Sequence, residues 1–339
     1  MSKRIGFCCK WIDRPDQTTG ISANDSCKQY NTGATTLSWL RRQTRDVAEQ
    51  KLHALALANV QSVKRLVSRV SELPEVMRMV RISSDVLPVY TEPSFTDFWQ
   101  QSGILDELSA QFADIGAIAR QTGTRLSFHP GQFTVLASDS DDIVQRSILE
   151  VEYHADMARM MGYGRTFQDF KINVHISGKR GPDGVRSAYG KLTPEARNCL
   201  TIENEENSWG LEDCLALADL VPIVLDIHHN WCREGVYLSV NDTSVLRVID
   251  SWRGLRPAMH YSVSKETLLA GHCHDTLPDF ALLKERGIGK QKLRAHSDFF
   301  WNTACNNLVG EFTQYFDIQC ESKGKNLASH RLAQELGMV

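Results

Sequence analysis

The chain has 339 residues, 38 lysines and arginines against 41 aspartates and glutamates, and 42% hydrophobic content, so its net charge is −3. This composition excludes wholesale disorder, collagen and a simple coiled coil, and the charge balance alone announces neither a nucleic-acid nor a membrane partner. Nine cysteines without paired CxxC spacing fit reduced thiols in a cytosolic compartment, and no apolar run approaches the roughly 18–20 residues that span a bilayer.

The opening segment starts basic, but Lys10, Asp13 and Arg14 interrupt it too early for a signal peptide. Eight short apolar runs rich in β-branched residues then alternate with longer amphipathic stretches, the pattern of strands buried under crossover helices. In chain order they are Arg4 to Phe7, MVRIS ending at Ser83, RLSFH ending at His129, KINVHIS ending at Ser177 and CLTIENE ending at Glu205. They continue with VPIVLDIHH ending at His229, AMHYS ending at Ser262 and FDIQCES ending at Ser322. Apolar residues at three- and four-residue spacing predict helices over Thr44 to Val70, Phe95 to Arg120, Asp141 to Met161, Leu211 to Leu220 and Ser244 to Trp252. Asp139, Ser140 or Asp141 can cap the third of these, and Asn207 or Ser208 the fourth. Eight βα units with no linker or repeat predict one α/β domain over 1–339, a (β/α)8 TIM barrel. Its seventh connection, Val263 to about Leu293, reads as long and irregular.

In such a barrel the C-terminal strand ends converge on one mouth, where loops carry the catalytic groups. Those ends supply His129, His175, Glu203, Asp226, His229, His260 and Glu321. Any one of them is more simply a hydrogen-bonded barrel residue; seven together point to a multinuclear divalent-metal centre. Nitrogen and oxygen donors without cysteine favour Mn²⁺, Zn²⁺ or Fe²⁺ over a soft-thiolate site, with Mg²⁺ a further candidate. Such ions lower the pKa of water and offset charge on an attacked phosphate and on its leaving oxygen. Glu203 and Glu321 are the candidate bridging, catalytic carboxylates. His228 reads as an accessory donor or loop residue, because strand alternation separates it from His229.

The segments HPGQF at His129 to Phe133, NVHISG at Asn173 to Gly178, IENEE at Ile202 to Glu206, LDIHH at Leu225 to His229, MHYS at Met259 to Ser262 and CESKGK at Cys320 to Lys325 together resemble the UV damage endonucleases, as does GATT at Gly33 to Thr36. The resemblance implies a xylose-isomerase-like barrel related to metal-dependent apurinic-site endonucleases. The expected activity is DNA excision repair: the chain would nick damaged double-stranded DNA 5′ to cyclobutane dimers and 6-4 photoproducts, leaving 3′-hydroxyl and 5′-phosphate ends. It also implies the seven residues above as ligands of a cluster of divalent ions, Mn²⁺ foremost, with His296 of AHSDFF as an eighth and Asp298 as its substitute. Gln132 and Phe133 would probe the gap left by a flipped lesion, and Phe7 matches another family aromatic with a DNA contact. Backbone phosphates would be met by Lys179, Arg180 and Arg186, by the run Lys284 to Arg294, and by Lys323 and Lys325. A monomer in the cytoplasm, or in the nucleus of a eukaryote, is the expected setting.

Three features depart from the pattern. Ala258 stands where some members carry a modified lysine, Glu92 where some place a histidine, and GHCHD adds His272, Cys273, His274 and Asp275 in the seventh connection. Two other readings remain open at this point: a sugar isomerase or epimerase on the same barrel, or a damaged-DNA binder without catalysis.

Overall fold

Strands covered on both faces need apolar residues throughout, which is why the runs are continuous rather than alternating. In the computed structural model, which describes residues 3–14, 26–269 and 271–339, all eight become strands. They are β1 (Ile5–Cys8), β2 (Met79–Arg81), β3 (Arg125–Phe128), β4 (Lys171–His175), β5 (Leu200–Glu203), β6 (Ile223–Asp226), β7 (Ala258–Tyr261) and β8 (Asp317–Cys320). Each pairs in parallel with its sequence neighbour, and β8 closes on β1 through Ile5↔Ile318 and Gly6↔Gln319. This is the expected closed TIM barrel, with the ionisable strand ends on one rim: His175 is level with Glu203, and Asp226 with His260.

The strands stop earlier than their apolar runs. After β6 the chain turns at once into the helix Ile227–Glu234, whose N-cap Asp226 accepts the amide of His229 at 2.8 Å. His228 and His229 are therefore helical residues rather than strand residues. The first helix, Arg45–Ser71, and the third, Asp141–Met160, match the periodicity. The second does not run unbroken from Phe95. A short turn over Thr96–Trp99 buries Phe98 and Trp99, the backbone opens at Gln101, and the long helix starts at Ser102. The fourth, Leu211–Leu215, is capped from Gly210, whose amide donates to Asp213 Oδ2 at 2.9 Å, and neither Asn207 nor Ser208 serves. The fifth covers Thr243–Ser251. Among its described residues the seventh connection holds only the helical turns Glu266–Leu269, Phe280–Glu285 and Lys290–Leu293.

At the opposite, N-terminal end the barrel is closed by charge. Asp317 is 0% exposed and accepts from Arg256 Nε at 2.7 Å, Arg125 Nη1 at 2.8 Å and the Arg4 amide at 2.9 Å. Ala258 belongs to this region, packed with Met79, Val224 and Trp252 below the mouth. Among the described residues no helix is long and apolar enough to cross a membrane.

Candidate metal centre and DNA-facing pocket

Glu203, at the end of β5, is the hub of the mouth. Its carboxylate lies 3.2 Å from His129 Nε2, 3.1 Å from His260 Nδ1, and 3.5 Å from both His175 Nε2 and His229 Nδ1. Asn173 Nδ2 also donates to it, and the Asn173 oxygen is held by Thr201 Oγ1 at 2.7 Å. Glu321 stands 3.3 Å from the same His260 nitrogen and takes the guanidinium of Arg81 at the end of β2. Donor atoms form three overlapping sets, His129, His175 and Glu203, then His129, His260 and Glu321, then Glu203, Asp226 and His260, and within each set they lie within 4.8 Å of one another.

The electrostatics of this cluster follow from burial and from each neighbour. Burial opposes ionisation of Glu203 and Glu321, yet His260 and His175 hold the first carboxyl well below its usual range, and Arg81 and His260 the second. Burial lowers His129 to about 4 and raises Asp226 to about 7. His229 resists its burial and rises to about 10, because Asp226, Glu203 and Glu206 surround it.

The donor set fits divalent cations. His129 Nδ1 faces the carbonyl of Pro130 at 2.9 Å, and a carbonyl only accepts, so that nitrogen carries the proton and Nε2 turns a lone pair toward Glu203. Lone pair facing carboxylate at 3.2 Å is repulsive unless a positive charge lies between them. Tautomers fixed by a backbone carbonyl are the usual outer support of metal-binding imidazoles, and His229 Nδ1 repeats the pattern on the carbonyl of Asn204 at 3.0 Å. Asp226 Oδ2 is buried on the same floor with no hydrogen-bond partner among the described residues, an acceptor suited to a cation.

Several of these groups escape a reading of where the apolar runs end. Asn173 and Lys171 lie within β4, and Arg81 ends β2 two residues before its run MVRIS does. Lys171, at the start of β4, is buried and sets its amine 3.1 Å from His260 Nε2, and burial lowers its pKa to about 7. Lys171, Asn173 and His175 occupy alternate positions of one strand, and that period-two polar pattern is the signal that would have exposed them. Glu206 lies 3.6 Å from His229 Nε2 and is held by Arg294 at 2.7 Å. His228 is buried, stacks on Trp231 and faces the carbonyl of Leu293 at 3.1 Å, a structural part rather than a ligand.

Above this floor opens a pocket of about 540 Å³, walled by Arg81, His129, His175, His229, His296 and Glu321 and rimmed by Gln132 and Phe133. His296 thus shares the wall but belongs to none of the three tight donor sets. Phe133 is 87% exposed, an apolar ring standing in solvent. Phe7 is the correction. It is 0% exposed and meets Trp11 edge-on at 5.8 Å, so the β1 aromatic is barrel core and cannot touch DNA.

The basic loops divide. Lys179 pairs with Asp139 at 2.6 Å, Arg180 with Asp141 at 3.0 Å and Arg186 with Asp219 at 2.7 Å, so their charge is already matched. Lys290 and Arg294 turn inward to Glu206, while Lys284, Arg286 and Lys292 stay exposed. Lys323 and Lys325 form no ion pair among the described residues. Asp298 is exposed at the mouth's edge. Glu92 binds Arg41 at 3.2 Å, away from the pocket, and His272 and His274 diverge onto Thr276 and Thr303 instead of sharing a ligand site.

The family model described as UV-endonuclease UvdE matches residues 6–339, from within β1 onward, every group of this mouth included. The chain belongs to that family. It is 25% identical over 336 residues to a UV DNA damage endonuclease of Bacillus velezensis, covering 94% of both chains. The solved structure of SacUVDE covers 100% of both chains with a TM-score of 0.72 at 22% identity. Endonuclease IV from Thermus thermophilus shares the barrel, with a TM-score of 0.50 at 14% identity over 81% of this chain and 93% of that one.

Proposed function

We propose that this UvdE-family protein hydrolyses the phosphodiester bond 5′ to UV photoproducts in double-stranded DNA, leaving 3′-hydroxyl and 5′-phosphate ends. The observation that carries the reading is the convergence of His129, His175, His229 and His260 on Glu203, with Glu321 against the same His260, beneath a pocket whose rim lifts Phe133 into solvent. His129, His175, Glu203, Asp226, His229, His260 and Glu321 would hold divalent ions, Mn²⁺ foremost. Bound there, such ions would lower the pKa of a water and offset charge on the attacked phosphate and its leaving oxygen.

The chain's own residues do the rest. Asn173 and Thr201 fix the Glu203 carboxylate, Arg81 fixes Glu321, and Lys171 orients His260 from below. Arg81 also lines the pocket, where its charge favours a phosphate. A photodimer is poorly stacked, so extruding it costs less than extruding a normal base, and Phe133 with Gln132 is placed to fill the gap it leaves. The exposed ring favours DNA over a sugar substrate, because an open apolar rim adds nothing to the grip on a small polyol.

The test is a duplex carrying one cyclobutane dimer, labelled at either end and incubated with Mn²⁺. The reading expects a single cut 5′ to the dimer, with a new 3′ end that a polymerase extends and a ligatable 5′-phosphate. An intact dimer-bearing strand, together with isomerisation of a free sugar, would replace this reading with the isomerase one.

A further inference from the structure

A second cavity, of about 630 Å³, adjoins the metal pocket and is lined by Lys265, Ser297, Asp298, Phe299, Trp301 and Lys323 among others. The two cavities share a wall: Ser297 follows His296, and Lys323 comes two residues after Glu321, both of which line the first pocket. Backbone bonds lace the three segments together. The Lys265 amide donates to the carbonyl of Ala295 at 3.2 Å, Ser264 and His296 form an antiparallel bridge, and the Lys323 amide donates to Ser297 at 3.1 Å. Trp301 Nε1 donates to the carbonyl of Ser264 at 2.8 Å and fixes the indole in the cavity floor.

Into this laced frame project two amines of the same charge. Lys323 and Lys265 both line this cavity, and no ion pair among the described residues holds either of them. Asp298 attracts Lys323 without forming a bridge to it. Like charges held side by side repel, and an anion between them removes that cost and gains two charge-assisted hydrogen bonds.

We infer that Lys265 and Lys323 form a subsite for one backbone phosphate of the DNA strand, adjoining the phosphate that is cut. The inference rests on the endonuclease reading above. A strand that places one phosphate over Glu203 brings its neighbours along the mouth, since each nucleotide step carries a charge. Half-buried Phe299 and Trp301 give the attached sugar or base an apolar face. Because the contact is to backbone, it serves damaged and undamaged DNA alike and positions the strand rather than choosing the lesion. Both amines meet the same phosphate.

The experiment compares the wild-type chain with Lys265→Ala/Lys323→Ala and Lys265→Arg/Lys323→Arg. The substrate is an end-labelled dimer-bearing duplex, with binding followed in EDTA at rising KCl. The alanine pair is expected to bind at least about ten-fold more weakly, with its salt slope shallower by about 1, the value for one phosphate, and the arginine pair recovers most of the loss. With Mn²⁺ and limiting DNA, cutting by the alanine pair falls about as far as binding does, and the arginine pair recovers most of that loss. Phosphate-ethylation interference locates the contact: one phosphate next to the cut, whose ethylation weakens the wild type, becomes indifferent in the alanine pair. An interference pattern and salt slope identical in wild type and alanine pair would overturn the subsite while wild-type cutting left the endonuclease reading standing. A wild type that neither binds nor cuts the duplex would overturn both.

Discussion

Phe133→Ala isolates lesion probing from everything else the barrel does. The ring is 87% exposed and stands on the loop after β3, which is anchored without it by the Thr134 amide on Gly131 at 2.9 Å and the Val135 amide on Ser147 Oγ at 2.8 Å. Truncation therefore empties no core space, and stability should change by less than about 0.5 kcal/mol. Stacking of an aromatic ring on a base contributes about 1–3 kcal/mol, so affinity for a dimer-bearing duplex should fall about 5- to 150-fold. Undamaged duplex offers no gap to fill and should lose far less, so the ratio of the two affinities shrinks. Fluorescence anisotropy with the two duplexes in EDTA measures both, and Phe133→Tyr, which keeps the ring, should stay near wild type. Equal affinities of wild type and Phe133→Ala for the damaged duplex would refute the wedge. A loss shared equally by both duplexes would refute it too.

Asp317→Ala leaves three buried or half-buried arginine contacts without their shared acid and should cost about 3–5 kcal/mol in urea unfolding, far from the mouth. His154 is buried, with Nδ1 on the carbonyl of Glu150 at 2.7 Å and Nε2 on Ser84 Oγ at 2.9 Å, and burial lowers its pKa to about 4. Unfolded, near 6.5, it takes a proton that the folded state refuses. Its contribution is therefore complete above about pH 6.5 and lost as pH falls toward 4, on the order of 3 kcal/mol. His154→Leu should flatten the unfolding free energy across that window, which denaturation at about pH 7, 5.5 and 4.5 will show. Lys171→Met removes the partner of His260 Nε2 and should weaken Mn²⁺ binding about 10- to 100-fold by titration calorimetry, with Lys171→Gln recovering part of the loss.

The barrel was legible because eight buried parallel strands leave continuous apolar runs, and the candidate ligand positions because those runs end in ionisable residues. What escaped was set by register and by distant pairing. Arg81 and Lys171 look in sequence like polar flanks of a strand, and only barrel closure turns them onto Glu321 and His260. Phe7 looks like a mouth residue for the same reason, yet its position in β1 puts the ring in the core. Lys179 and Arg180 look like free cations until folding brings Asp139 and Asp141, some forty residues earlier, against them. The break at Gln101 is likewise tertiary: helical periodicity continues across it, but burial of Phe98 and Trp99 turns the chain.

The most direct test of the central claim is nicking of a UV-irradiated supercoiled plasmid beside an unirradiated one, with Mn²⁺ or EDTA, by wild type and Glu203→Gln. The account predicts relaxed circles from the irradiated plasmid alone, formed with Mn²⁺, abolished by EDTA and lost in Glu203→Gln. Nicking that persists in EDTA or in Glu203→Gln, or no nicking across Mn²⁺, Mg²⁺, Zn²⁺ and Fe²⁺, would contradict it.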